Sequence, residues 1–339
     1  MTGDGASFGA RIRSRDDIHV IAALTAITAW AIGPLFTKSM SVGVPSIVFY
    51  RITIGTPVMI AMSYRFGNGL SIPLLKKTAL PGLLFGSSML AGFAGIRMTS
   101  VANATLIGNM QPVLIIFLAP KLFGERLRAR QLLFAGTALA GVLTVVLAAA
   151  STSGAHLSGD LMSVLNVCIW TAYFLMAKQR RLSGVDGWSF LAAAFCWSCL
   201  IVIPFGAIAS NDLGQVTARD ILFVMCMAMG PGVVGHGLMT WSQSHLDVTL
   251  ASILGLLGPV ISTVLAWIVF GESLTILQLV GGVVVIGALS LLVKMPVHSS
   301  ATSTLSSFHG SFAGSRSAVT FIGPRPTSMV SPATLTSPG

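Results

Sequence analysis

Two stretches of the chain, Val101–Leu132 (VANATLIGNMQPVLIIFLAPKLFGERLRARQL) and Val248–Leu279 (VTLASILGLLGPVISTVLAWIVFGESLTILQL), repeat each other. In the register that sets residue 101 against residue 248, thirteen of the 32 positions are identical. The identities include a Pro-Val pair, a Phe-Gly-Glu triplet and a Gln-Leu pair. Chance similarity between apolar segments does not keep such groups in one register, so we infer an internal duplication.

Apolar residues dominate the composition: 54% of the 339 residues are hydrophobic and 9% are charged. A soluble domain carries about 25% charged residues, so this chain has too little charge to cover a surface exposed to water. A helix needs about 20 apolar residues to cross a hydrocarbon core of about 30 Å. We predict an all-α membrane protein with ten transmembrane helices, at about residues 18–38, 46–64, 74–96, 100–120, 130–150, 158–177, 188–209, 219–241, 247–270 and 274–294.

The basic residues lie in short clusters between these apolar segments, although the net charge is +10. Clusters of this kind are topology signals, which argues against nucleic-acid binding. With the N-terminus in the cytoplasm, fourteen Lys and Arg residues near helix ends lie inside, and three, Lys38, Arg97 and Arg219, lie outside. This bias predicts a multi-pass protein of the cell inner (plasma) membrane with both termini in the cytoplasm.

Each copy of the repeat comprises five predicted helices. Because five is odd, the second copy enters the membrane with the opposite orientation, as in many secondary transporters, whose substrate site lies near the midplane. We therefore predict a cytoplasmic segment at 1–17, a first repeat at 18–150 and a second, inverted repeat at 158–294, around a central cavity. Residues 295–339 are rich in Ser, Thr, Pro and Gly, which predicts a disordered cytoplasmic tail.

Motifs in both halves resemble those of a known family. Ala29-Trp30 and Phe36-Thr37-Lys38 are similar to a Trp-Gly…Phe…Lys opening, and Tyr50-Arg51-Ile52 looks like an Arg-Phe pair with Ile in place of Phe. A Pro…Gly-Glu-x-Leu…Gln pattern then occurs once in each half. Over about residues 18–294 the chain resembles the drug/metabolite transporter superfamily, in its ten-helix EamA-type branch. The resemblance implies a bundle with a central cavity and alternating access, which exports metabolites in many members.

Two prolines interrupt the fourth and ninth predicted helices. A proline frees the carbonyl four residues earlier, so Pro112 frees that of Gly108 and Pro259 frees that of Gly255. In hydrocarbon every backbone carbonyl needs a partner. Either these carbonyls line the cavity as acceptors for substrate and let the helices bend, or nearby Ser and Thr groups satisfy them and the prolines only kink the helices.

Polar and aromatic residues recur at helical spacing on several predicted helices, most clearly on the sixth and the eighth. Polar groups inside a membrane usually face the bundle interior or a wet cavity. For this set we favour cavity lining over anchoring at the membrane interface. The candidate substrate-binding residues are Trp30, Thr37, Arg51, Thr105, Gly108, Asn109, Pro112, Asn166, Trp170, Tyr173, His236, Thr240, Gln243, Gly255 and Pro259.

Ionisable residues are rare within the predicted helices. Arg51 can snorkel to the interface, which we favour, or point inward as a counter-charge for a carboxylate. His236 is the mid-helix group that titrates near neutral pH, although a lone His is more often a packing residue. All ten acidic residues lie in the termini, in loops or at helix ends, so no helix centre offers a carboxylate as proton relay. We therefore favour facilitated movement or exchange over proton coupling through His236.

Charged residues at the helix ends receive simpler interpretations. Glu125 and Glu272 end equivalent helices and are interpreted as caps more than as transport residues. Lys38 and Lys178 occupy equivalent helix ends and are interpreted as orientation determinants.

These observations predict a secondary transporter that exports amino acids or related amphipathic solutes, with no catalytic residue, metal or cofactor. The alternatives are a non-transporting membrane scaffold or sensor, and drug or cation efflux by proton exchange. An intramembrane enzyme needs a metal-ligand set or a nucleophile with a base, and the sequence has neither pattern. The expected partners are a small-molecule substrate and the lipid bilayer, with no nucleic acid; the GxxxG of Gly82–Gly86 leaves a homodimer open.

Overall fold

The computed structural model describes residues 15–99, 104, 107–125, 128–149, 156–271 and 274–293. Within these ranges the protein is helical and has no strand, and nine helices are long and apolar enough to cross a membrane. A tenth, apolar helix of 13 residues corresponds to the fourth predicted span. The helices are α1 (Arg15–Ser39), α2 (Val44–Phe66), α3 (Ile72–Met98), α4 (Gln111–Phe123), α5 (Ala129–Ala149), α6 (Leu157–Leu182), α7 (Gly187–Ala209), α8 (Ala218–Ser242), α9 (Val248–Phe270) and α10 (Ile276–Val293).

The predicted all-helical membrane fold is therefore confirmed. Several predictions fall outside the described residues: most of the N-terminal segment, Thr105, Glu272 and the tail at 295–339.

Helix packing follows the duplication. Exchange of the two repeats turns α1 into α6, α2 into α7, α3 into α8 and α5 into α10. The pairs α2–α7 and α5–α10 pack extensively, and each is its own equivalent under this exchange. The pair α3–α6 packs extensively as well, and its equivalent is the packed pair α8–α1. The two halves are thus interlocked as two copies of one five-helix unit.

The repeated Phe-Gly-Glu triplet ends α4 and α9 in the same way. Gly124 follows α4 with φ 70° and Gly271 follows α9 with φ 67°, and both are left-handed. A residue with a Cβ is strained in this conformation, which is the usual one just after the end of a helix. The glycine of the motif therefore has a backbone role that the duplication has kept.

Backbone breaks occur near both predicted prolines. A turn at 109–110 precedes Pro112, and a turn at 255–256 divides α9 before Pro259. The Gly258 N–H donates to the Gly255 carbonyl at 2.9 Å, because the chain tightens here into bonds between residues three apart. The prediction that Pro259 leaves the Gly255 carbonyl in need of a partner is therefore wrong, since the backbone itself supplies one.

The GxxxG of α3 packs against α7 of the same chain. A Cβ added at Gly82 would lie 2.7 Å from the Cβ of Trp197, and one added at Gly86 would lie 3.0 Å from the Cα of Ser198. The Ser198 hydroxyl donates to the Gly82 carbonyl at 3.0 Å. The motif therefore serves packing within one chain and gives no support to a homodimer.

Replacement of Gly82 by Ala is expected to destabilise the protein by about 1–3 kcal/mol, because the added methyl group meets the α7 backbone. The measurement is the thermal unfolding midpoint in detergent. Gly136→Ala is the matched control, because nothing lies within 4 Å of the position of its Cβ. Equal midpoints for the two variants would contradict this description of the contact.

Loops at the two ends of the bundle make separate sets of contacts. At one end, which we call the Asp212 face, the Asp212 carboxylate accepts from the Gly43 N–H at 2.6 Å and from the Ser46 hydroxyl. Hydrogen bonds from Ser46 and Gly43 hold the pKa of Asp212 below its ordinary value. At the other end, which we call the Glu125 face, Glu125 contacts the start of α9. The charge pattern predicts that the Glu125 face is cytoplasmic.

Candidate substrate site

Aromatic rings from both repeats meet in the middle of the bundle. The His236 ring centroid lies 5.1 Å from that of Phe85 and 5.2 Å from that of Trp30, and the Trp170 and Tyr173 centroids are 5.1 Å apart. These distances are typical of interacting aromatic side chains. The rings belong to helices α1, α3, α6, α7 and α8. We call the set the central cluster: Trp30, Phe85, Trp170, Tyr173, Phe195 and His236.

An irregular stretch of α8 carries His236 into the central cluster. Residues Ala228–His236 form a π-helix, where the sequence predicted a regular helix. The Trp30 indole N–H donates to the Pro231 carbonyl at 3.1 Å, and a Cβ at Gly235 would lie 2.5 Å from the indole nitrogen. The glycine thus lets α1 approach closely, and the indole satisfies a carbonyl of the widened helix. Such π segments occur frequently at functional sites.

Three polar groups at the central cluster lack hydrogen-bond partners among the described residues. They are the hydroxyl of Tyr173, the imidazole of His236 and the guanidinium of Arg51. Tyr173 and His236 are buried, with 3% and 7% of their surface exposed, and Arg51 is half-buried. The arrangement combines flat apolar rings with unused donors, which suits an amphipathic ligand.

The position of Arg51 favours the inward orientation over snorkelling. Its charge acts on His236, and no carboxylate or other charged group among the described residues acts on Arg51 in turn. A charge set deep in a protein is costly without a partner. The guanidinium offers a planar fork of donors that matches a carboxylate. Chemically, this corner of the central cluster can therefore hold an anionic group.

Other predicted site residues have different surroundings. The Asn166 side chain accepts from the Ser88 hydroxyl at 2.8 Å and so joins α6 to α3, and the Thr37 hydroxyl donates to the Gly33 carbonyl at 3.1 Å within α1. The Thr240 carbonyl accepts from the Arg181 side chain at 3.0 Å, towards the Glu125 face. Gln243 is 1% exposed, and its side-chain oxygen has no partner among the described residues. These residues therefore surround the central cluster rather than join it.

Sequence reasoning did not select Phe85 and Phe195. Both are apolar residues on apolar helices, so their position in the chain carries no polar mark. One signal was present, because Phe85 lies inside the GxxxG of α3, where glycines bring two helices together.

A second set of polar residues joins the repeats at the Glu125 face. The Glu125 carboxylate accepts from the Val248 N–H at 2.9 Å and from the Thr249 N–H at 3.0 Å. The Lys178 ammonium lies 3.6 Å from Glu125 and donates to the Leu246 carbonyl. The predicted capping role of Glu125 is confirmed, but the helix that it caps belongs to the opposite repeat. Lys178 is buried in this contact, which its interpretation as an orientation determinant did not include.

A groove of about 420 Å³ lies between α4 and α6. Its lining is almost entirely apolar and includes the exposed residues Leu118 and Leu122. On α6 it uses other residues than the central cluster does, among them Cys168 and Thr171. The groove contains no charged residue, so we do not assign the substrate to it.

Comparison with protein families agrees with this architecture. A model of the EamA-like transporter family matches residues 17–147 and again 157–294, one match for each repeat. The chain belongs to the EamA-like transporter family. The resemblance found in the sequence is thereby confirmed. Membership makes the chain a multi-pass membrane protein and a transporter of small molecules rather than an enzyme.

Individual EamA-like relatives are similar over most of their length. The aromatic amino acid exporter YddG of Ancylobacter novellus is 29% identical over 254 residues, which cover 71% of this chain and 85% of that protein. The pseudopaline exporter CntI of Pseudomonas aeruginosa is 24% identical over 276 residues, which cover 79% of this chain and 93% of that protein. A solved crystal structure, 23% identical, covers 82% of this chain with a TM-score of 0.66 and shares its fold.

Proposed function

We propose that this chain exports amphipathic metabolites that carry a carboxylate and an apolar or aromatic group, amino acids foremost. The observation that carries the proposal is Arg51, an unpaired cation beside a cluster of aromatic rings. The carboxylate would pair with the guanidinium, and the apolar part would pack against rings such as those of Trp170 and Phe85. A binding pocket with flat apolar walls and few polar groups selects ligands by this combination.

The similar proteins support export as the direction of transport, because two of them are named exporters and one of these is an aromatic amino acid exporter. We place the protein in the inner membrane with both termini in the cytoplasm, on the strength of the positive-inside bias. The packing symmetry between α3–α6 and α8–α1 supports alternating access, in which the two repeats exchange conformations around the site between them.

The test uses purified protein in liposomes and pairs of solutes that differ in the carboxylate alone. Phenylalanine and tryptophan are compared with phenethylamine and tryptamine, each against protein-free vesicles. We expect the amino acids to cross faster than in protein-free vesicles and the amines not to do so. Faster movement of the amines would instead support efflux of drugs or cations, and no movement of any solute would support a non-transporting scaffold.

A further inference from the structure

Asp247 stands at the N-cap position of α9 but does not cap it. An aspartate in this position usually accepts hydrogen bonds from the backbone N–H groups of the first turn. Here the Asp247 side chain makes no capping bond, and the Glu125 carboxylate of the other repeat accepts from the N–H groups of Val248 and Thr249. Glu125 has therefore displaced Asp247 from its ordinary role.

The displaced carboxylate lies in a setting that disfavours its charge. Burial and the nearby Glu125 raise the pKa of Asp247 to about 6, although Lys178 opposes this shift. Glu125 and Lys178 are the charged groups that act on Asp247 among the described residues, and Glu125 and Asp247 are those that act on Lys178. One ammonium cannot neutralise two carboxylates, so the group of three has room for one proton.

We propose that Glu125, Asp247 and Lys178 form a proton site that holds one proton while the Glu125 face is closed and releases it when that face opens. The inference rests on the proposed function and adds its energy source, an exchange of exported substrate for protons. It replaces the facilitated movement that the sequence favours.

Release follows from the geometry of the cap. When Glu125 moves away with its repeat, the N–H groups at the start of α9 lose their acceptor. Asp247 can then turn onto the N–H groups of Thr249 and Leu250 as an ordinary N-cap. Hydrogen bonds to the ionised form favour it. The O–H bond of the Asp247 carboxyl breaks, and the proton passes to water on the Glu125 face.

The sign of the pH effect follows from the same comparison. In the closed state the pKa of Asp247 is about 6, and as an ordinary N-cap it returns to a value near or below about 4. Protonation therefore stabilises the closed state. This stabilisation is complete below about pH 4 and is lost as the pH rises through about 6.

The experiment measures phenylalanine counterflow and proton movement in the same liposomes. Counterflow needs no gradient of protons, so it reports alternation alone, and an enclosed pH-sensitive dye reports proton movement. For the wild type we expect a counterflow rate that changes about tenfold between about pH 5 and about pH 7.5, with proton movement opposite to phenylalanine. Asp247→Asn is expected to retain counterflow, with a rate independent of pH and no proton movement.

The matched control is Asp186→Asn, the same substitution in a residue that caps α7 and that predicted topology places on the same face. It is expected to behave like the wild type. If Asp247→Asn does not fold, Glu125→Gln keeps an acceptor for α9, and its pH midpoint should move to lower pH. Wild-type counterflow without proton movement, or an unchanged pH profile in folded Asp247→Asn, would overturn the proton site. Absence of counterflow in the wild type would instead count against the proposed function.

Discussion

Arg51→Gln is expected to lower the transport of phenylalanine by about 100-fold, which corresponds to about 3 kcal/mol. Gln keeps part of the volume and some hydrogen-bonding capacity of Arg but removes the charge that pairs with the carboxylate. Arg51→Lys keeps the charge without the planar fork and is expected to lose about tenfold. The measurement is the initial rate of phenylalanine uptake into proteoliposomes.

The control for this substitution lies on the same helix. Arg65 is exposed near the end of α2, with its guanidinium over the ring of Phe66, so Arg65→Gln should leave the rate close to that of the wild type. Arg51→Gln should also reduce the preference for phenylalanine over phenethylamine. A rate loss without any change in this preference would show that Arg51 supports the fold rather than the carboxylate.

Glu125→Ala is expected to lower stability by about 3 kcal/mol, because it leaves Lys178 buried beside a single carboxylate and removes the cap of α9. The thermal midpoint in detergent measures the loss. Glu125→Gln should lose less, because its amide oxygen can still accept from the N–H groups of Val248 and Thr249.

A double-mutant cycle separates the cap from the ion pair. Lys178→Met removes the buried ammonium, so adding it to Glu125→Ala should cost less than the sum of the two single changes. Strict additivity would mean that Glu125 and Lys178, 3.6 Å apart, do not stabilise each other.

The sequence predicted the architecture well because the relevant signals are local. Apolar length predicts each span, and the identities between the regions around Pro112 and Pro259 predict the duplication. Helical spacing also selected Trp30, Trp170, Tyr173 and His236, which the structure brings together.

The features that the sequence could not predict depend on contacts between helices. The direction in which Arg51 points depends on how α2 is rotated against α8, which apolar periodicity does not determine. The partner of Lys178 is Glu125 from the other repeat, and nothing in either local sequence names the pair. The π segment at Ala228–His236 was missed because its residues suit an ordinary helix that contains one proline.

The π segment of α8 has a consequence for the resting state of the carrier. Its counterpart in the first repeat, α3, is α-helical throughout Ile72–Met98. Two identical repeats could trade conformations and return a mirror-like state of the same free energy, so the empty carrier would face both sides equally often. Repeats that differ in helix type cannot trade conformations without a difference in free energy. The substrate-free protein should therefore face one side of the membrane more often than the other, which makes it a rectifier by construction.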